Sequence, residues 1–186
     1  MKHNKLKRMI QCAIFAAILC IFSPLSVSVG PIPFSMAIFA VMLCAVVLDL
    51  RSAVISVLVY LVLGLCGLPI FSGGNPGLVA IPGPTGGYIW SFVLMVPVIA
   101  LFKSVPVKAL WLRYVLTFAG CVVATALCYV CGTLQFAHIA GKTFREALAV
   151  CVIPFIVPDL IKGLVATVLG TILSDTLQKA GVLTLR

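Results

Sequence analysis

"FSGGNPGLVAIPGPTGGY", Phe71 to Tyr88, holds six glycines and three prolines and not one charge. Glycine weakens a helix and proline removes a backbone donor, so no continuous helix runs through it. Yet it is too apolar for a solvated linker, and the chain on both sides is strongly hydrophobic. Among membrane-spanning helices, irregular backbone is tolerated only where protein covers it or where it lines a cavity. "SPLSVSVGPIPF", Ser23 to Phe34, shares this Pro/Gly/Ser character and also lacks charge. Together they predict two loops folded over a pocket between helices.

The rest of the chain supports that setting. Of its 186 residues, 63% are hydrophobic and 9% charged, and the mean hydropathy is +1.28. Soluble domains carry about 25% charged residues. So few charges cannot cover a chain of this size with water-compatible surface, and an integral membrane protein follows. The net charge of +9 does not indicate nucleic-acid binding. No basic groove or RNA-binding signature accompanies it, and Lys2, Lys5, Lys7 and Arg8 simply precede the first apolar run, where cations set topology.

Apolar windows long enough to cross a bilayer predict an all-α fold of six transmembrane helices in one domain, residues 1–186. The spans are about 6–22, 35–48, 51–67, 86–102, 112–136 and 154–177. No internal repeat stands out. With the N-terminus inside, the inner segments hold Lys2, Lys5, Lys7, Arg8, Arg51, Lys103, Lys108, Arg113, Lys179 and Arg186, against Lys142 and Arg145 outside. That asymmetry predicts cytoplasmic termini. A cleaved secretory signal at the start is the rival reading, and it affects only the first helix. Both loops then lie at the outer face.

"FIVPDLIKGLVA" places Asp159 and Lys162 inside an apolar run, three residues apart and so on one helix face, with Pro158 at the first helical position. Each charge costs about 2.5–3.5 kcal/mol at the centre of a membrane helix, so both need partners. They are either a structural ion pair or part of a ligand site. An acceptor beside a donor suits a ligand carrying N–H next to C=O, and Lys162 alternatively suits a ligand carboxylate. The loops add Asn75, Thr85 and Tyr88 as polar groups and Phe34, Phe71 and Trp90 as flat apolar surface. A small, partly apolar ligand is expected. Asp49, Arg51 and Asp175 read as solvated inner-side charges.

Other chemistry is missing from the sequence. There is no phosphate-cradling G-x-x-x-x-G-K-[ST] and no H-E-x-x-H, and no Ser/His/Asp set can be assembled, so neither catalysis nor a metal is expected. Uphill movement of a ligand would draw on an ion gradient or on another subunit. The eight cysteines lie in apolar runs and read as packing residues. Cys128 and Cys131 form C-x-x-C without a second pair. A membrane thiol oxidoreductase using Cys20, Cys66, Cys128, Cys131 and Cys151 is a further alternative, as is a solute carrier coupled to ions through Asp159. Ala13 and Ala17 form a small-x-x-x-small face that lets another helix approach.

"GPIPFS" (30–35), "YLVLGLCGLPIFSGG" (60–74), "GPTGGYIW" (83–90) and "PDLIKGLVA" (158–166) together resemble the BioY family, the biotin-specific S component of energy-coupling-factor (ECF) transporters. The resemblance implies a six-helix fold in the bacterial cytoplasmic membrane that binds biotin near the outer face and needs no resident cofactor. It implies a transmembrane coupling protein and two ATPase subunits as partners, met through Ala13 and Ala17. It places the polar site on Asn75, Tyr88, Asp159 and Lys162, and Phe71 and Trp90 could cover apolar ring surface. The proline after Asn75 and the abundant cysteines depart from the family pattern.

Overall fold

Long unbroken apolar runs become helices because an α-helix satisfies its own backbone. The computed structural model describes residues 2–29 and 32–181. Gly30 and Pro31 of the "GPIPFS" motif, and Arg186 of the charge count, lie outside the described residues. The elements are α1 (Lys2–Phe22), β1 (Ser26–Val29), β2 (Ile32–Ser35), α2 (Ala37–Val47), α3 (Leu50–Leu65), α4 (Gly77–Ala80), α5 (Gly86–Lys103), α6 (Leu110–Ala140), α7 (Phe144–Cys151) and α8 (Ile156–Lys179). The runs Gly86–Lys103, Leu110–Ala140 and Phe144–Lys179 are long and apolar enough to cross a membrane, and α2 and α3 are shorter apolar helices. At 1.5 Å per residue, the 31 residues of α6 span about 46 Å.

The fold is mostly helical, not all-α. "SPLSVSVGPIPF" makes an antiparallel hairpin in which Ser26 pairs with Ser35 and Val29 with Ile32. Alternating Ser and Val give the strand period of two, and the prolines deny the segment a helix. Two boundaries also differ. α1 begins at Lys2, because Lys and Arg extend a helix well. The segment around Lys142 and Arg145, placed on the outer side between the last two predicted spans, contains α7. Gly141 ends α6 in the left-handed region (φ 63°), and Thr143 and Glu146 form a reciprocal capping box that starts α7.

The partly exposed ionic contacts gather at one end of the bundle. Arg8 Nη2 donates to Asp49 Oδ2 at 2.7 Å, joining α1 to the α2–α3 turn. Lys103 Nζ donates to the carbonyls of Ala45 (3.2 Å) and Leu48 (2.7 Å), closing the free C-terminal end of α2. Arg113 grips Asp175 with two bonds of 3.1 and 2.8 Å, tying the start of α6 to the end of α8. The opposite end carries the hairpin and the Phe71–Tyr88 segment. Between them, glycines let α5 and α6 touch: a Cβ at Gly87 would strike the Cys131 carbonyl, and one at Gly132 would fill the space of the Tyr88 ring.

Large apolar side chains cover the outside along the helices, among them Ile55, Leu101, Val123, Ile161 and Ile172. Such a surface suits lipid.

Asp49 caps α3, accepting from Ser52 N at 3.3 Å and Ser52 Oγ at 2.6 Å. Burial pushes its carboxyl up, but the Ser52 and Arg8 hydrogen bonds prevail and hold it below the usual carboxylate range. A depressed folded-state pKa contributes stability above the unfolded value, near pH 4, and loses it as pH falls through the folded value. The melting temperature in detergent should therefore drop between pH 5 and pH 3 by less in Asp49→Asn than in wild type.

Candidate functional site

Asp159 and Lys162 fall in the first turns of α8. A proline-containing turn at Ile153–Phe155 precedes that helix, so Pro158 is its third residue, not its first. It is tolerated there because first-turn N–H groups have no intrahelical acceptor. Both charges are buried, Asp159 at 4% exposure and Lys162 at 7%. Lys162 Nζ donates to Asp159 Oδ1 at 2.8 Å and to the Ser35 carbonyl of β2 at 2.7 Å. The same ammonium sits 3.5 Å from the centroid of the Phe34 ring. Phe34 stacks on Phe155 with centroids 6.1 Å apart and planes 6° from parallel. Across the carboxylate, Tyr129 Oη of α6 donates to Asp159 Oδ2 at 2.7 Å.

These groups line a cavity beneath the hairpin. Its volume is about 50 Å³, and it is partly open to the exterior. Phe34, Thr85, Tyr88, Asp159 and Lys162, five residues singled out in the sequence, share its wall. The Tyr88 hydroxyl is buried, with no hydrogen-bond partner among the described residues. Thr133 and Cys151 are its polar neighbours.

Three of the sequence-selected residues stand elsewhere. Phe71 is fully buried against α3: its ring meets Tyr60 edge-on (5.1 Å, 84°) and occupies the space a Cβ at Gly64 would take. Asn75 is exposed and donates from Nδ2 to the Ser72 carbonyl at 2.9 Å, closing a turn whose Gly73 and Gly74 both have φ 73°. Pro76, the family departure, begins α4 from extended backbone. Trp90 is 49% exposed. Two residues after Tyr88, it points to the opposite side of α5, since successive helical residues turn by about 100°.

Other cavity residues escaped the sequence reading, Tyr129, Phe155 and the Ser35 carbonyl, and Cys151 was noted there only as a thiol. A tyrosine within an apolar helix needs a partner for its hydroxyl, and that was the available signal for Tyr129. Gln135 was missed as a loop anchor. Its Nε2 donates to the carbonyls of Ile81 (2.8 Å) and Gly83 (2.9 Å). All eight cysteines are free thiols, and no metal-binding cluster of His, Cys, Asp or Glu occurs among the described residues.

A mostly helical, lipid-compatible bundle with a cavity at one end, covered by loops and walled by a buried ion pair, defines a membrane-embedded binding protein. The model of the BioY family matches residues 1–179, and the chain belongs to that family. It is 33% identical over 166 residues to the probable biotin transporter BioY of Pyrococcus horikoshii, covering 89% of this chain and 95% of that one. The biotin transporter BioY2 of Lactococcus lactis subsp. cremoris is 32% identical over 184 residues, with 96% of each chain covered. A crystal structure of the S-component for biotin from an ECF-type ABC transporter shares the fold, with a TM-score of 0.82, 23% identity and 94% of each chain covered.

Phe71 stands as an anchor for its loop in this geometry. Phe71→Ala should destabilise the protein by about 3–5 kcal/mol, the usual cost of deleting a buried aromatic ring. Thermal unfolding in detergent reads this directly. An unchanged melting temperature with weakened ligand binding would instead give the ring a ligand-contact role.

Proposed function

We propose that the protein captures biotin at the outer face of a bacterial cytoplasmic membrane and works as the S component of an ECF-type transporter. In this reading α1, α2, α3, α5, α6 and α8 are six crossings. Both termini and the cationic end face the cytoplasm, in keeping with the excess of Lys and Arg there. The observation that carries the assignment is a buried acceptor–donor pair, Asp159 and Lys162, at the wall of a loop-covered cavity in a BioY-family chain.

Biotin's chemistry suits that wall. Its ureido ring offers two N–H donors and a carbonyl, its thiophane ring is apolar, and its tail ends in a carboxylate. Asp159 accepts from a ureido N–H, and Lys162 meets either the ureido carbonyl or the tail carboxylate. Tyr88 and Thr85 supply further polar contacts, while Phe34 and Phe155 offer flat apolar surface. Asn75 keeps Oδ1 as an acceptor for a ligand while Nδ2 closes its turn with Ser72, and Trp90 faces lipid. Energy comes from a coupling protein and two ATPase subunits. Ala13 and Ala17 are exposed on α1, whereas Ala16 beside them is buried, so the small-residue face points outward, where a partner helix fits.

Biotin titrated into purified protein in detergent should bind tightly and one to one, and Asp159→Ala should lose that binding. A well-folded wild type that ignores biotin would sink the assignment. Replacing Ala13 and Ala17 with Leu should leave biotin binding intact while abolishing co-purification with the coupling protein and cellular uptake. Normal uptake in that variant would remove the α1 face from the partner interface.

A further inference from the structure

We propose that Tyr129 is a positioning residue for the ligand, its hydroxyl fixing the Asp159 carboxylate as an acceptor and its ring sealing the ligand cavity from a groove on the lipid-facing side. The inference rests on the biotin reading above and extends it to a residue on a different helix from the ion pair.

The carboxylate is held from two directions. Lys162, on the same helix, takes Oδ1 at 2.8 Å, and Tyr129, on α6, takes Oδ2 at 2.7 Å. The terminal torsion of an aspartate is broad and nearly two-fold, so a single partner leaves the carboxylate plane free to turn. Partners on both oxygens fix it. Each oxygen retains a second lone pair, so Oδ2 can accept from Tyr129 and from a ligand N–H together. A ligand then meets an acceptor already oriented and loses less on ordering it.

The ring has its own part. Tyr129 and Asp159 line the ligand cavity and also a second cavity between α6 and α8, whose other walls include Met42, Ala126, Val152 and Leu160. Val122, Ile156 and Leu160 stand at its edge with exposures of 36%, 41% and 40%, so it opens toward the apolar exterior. The Tyr129–Asp159 contact is therefore the partition between a polar binding site and the lipid side. Removing the ring exposes the ion pair to a medium that cannot solvate it.

A double-mutant cycle on biotin binding separates positioning from general packing. The variants are Tyr129→Phe, Asp159→Asn and both together, with Tyr129→Ala beside them, each measured per mole of monodisperse, folded protein. Tyr129→Phe keeps the ring and loses only the hydroxyl. It should weaken biotin binding roughly 10- to 100-fold, as for a lost hydrogen bond to a charged group. In the Asp159→Asn background the same change should cost less than about 3-fold, because residues acting through one another are not additive. Tyr129→Ala should lose more than Tyr129→Phe. An unchanged Tyr129→Phe, or a full additive loss in the Asp159→Asn background, would overturn the positioning role while leaving the biotin reading intact. Equal losses in Tyr129→Ala and Tyr129→Phe would overturn the seal. Folded wild type that fails to bind biotin would take both readings down.

Discussion

A carboxylate and an ammonium buried within an apolar bundle constrain everything around them. Each costs about 2.5–3.5 kcal/mol in the middle of a membrane helix unless it is satisfied. Asp159 and Lys162 answer each other, and the remaining valences recruit three other elements. β2 brings the Ser35 carbonyl and the Phe34 ring to Lys162, α6 brings the Tyr129 hydroxyl to Asp159, and the turn before α8 brings Phe155 to stack on Phe34. The hairpin sits over the cavity because its backbone and ring complete the coordination of a charge on α8. Any ligand that engages the pair exchanges its own groups for some of these contacts.

The two ends of the bundle are built differently. At the cationic end, long side chains clamp helix termini: Arg8 on Asp49, Lys103 on the last carbonyls of α2, Arg113 on Asp175. These contacts fix the relative positions of α1, α2, α5, α6 and α8. At the cavity end the fixing is done by close packing. Phe71 plugs the notch at Gly64, Gln135 holds the loop by two carbonyls, and the Tyr88 ring rests in the space left at Gly132. The cavity is thus lined by groups whose positions are set from outside it, which is what a preorganised binding site needs.

Much of this was legible in the residues. Hydrophobic length located the long helices to within a few residues, because backbone satisfaction in lipid leaves few alternatives. The i, i+3 spacing put Asp159 and Lys162 together, since that contact is local. The hairpin was less legible: the breakers in "SPLSVSVGPIPF" announced an irregular segment, but pairing within so short a stretch depends on what it packs against. α7 was missed because eight residues give too short a pattern, although Thr143 and Glu146 spelled its cap. Composition marked Asn75, Phe71 and Trp90 as ligand-like groups, yet a side chain's direction is a tertiary fact. Trp90 faces outward by helical phase, Phe71 is drawn into α3 by the space at Gly64, and Asn75 closes its own turn. A tyrosine in an apolar helix signalled that Tyr129 needs a partner, but not which one, as Asp159 lies 30 residues away on another helix.

The most direct test of the central claim is an experimental structure of the protein with biotin bound. It should show the ureido or carboxylate oxygens and nitrogens within hydrogen-bond distance of Asp159 and Lys162, beneath the hairpin and beside Tyr88. Biotin bound elsewhere, with the Asp159–Lys162 pair closed on itself and out of reach of the ligand, would reduce the pair to a structural device and contradict the account.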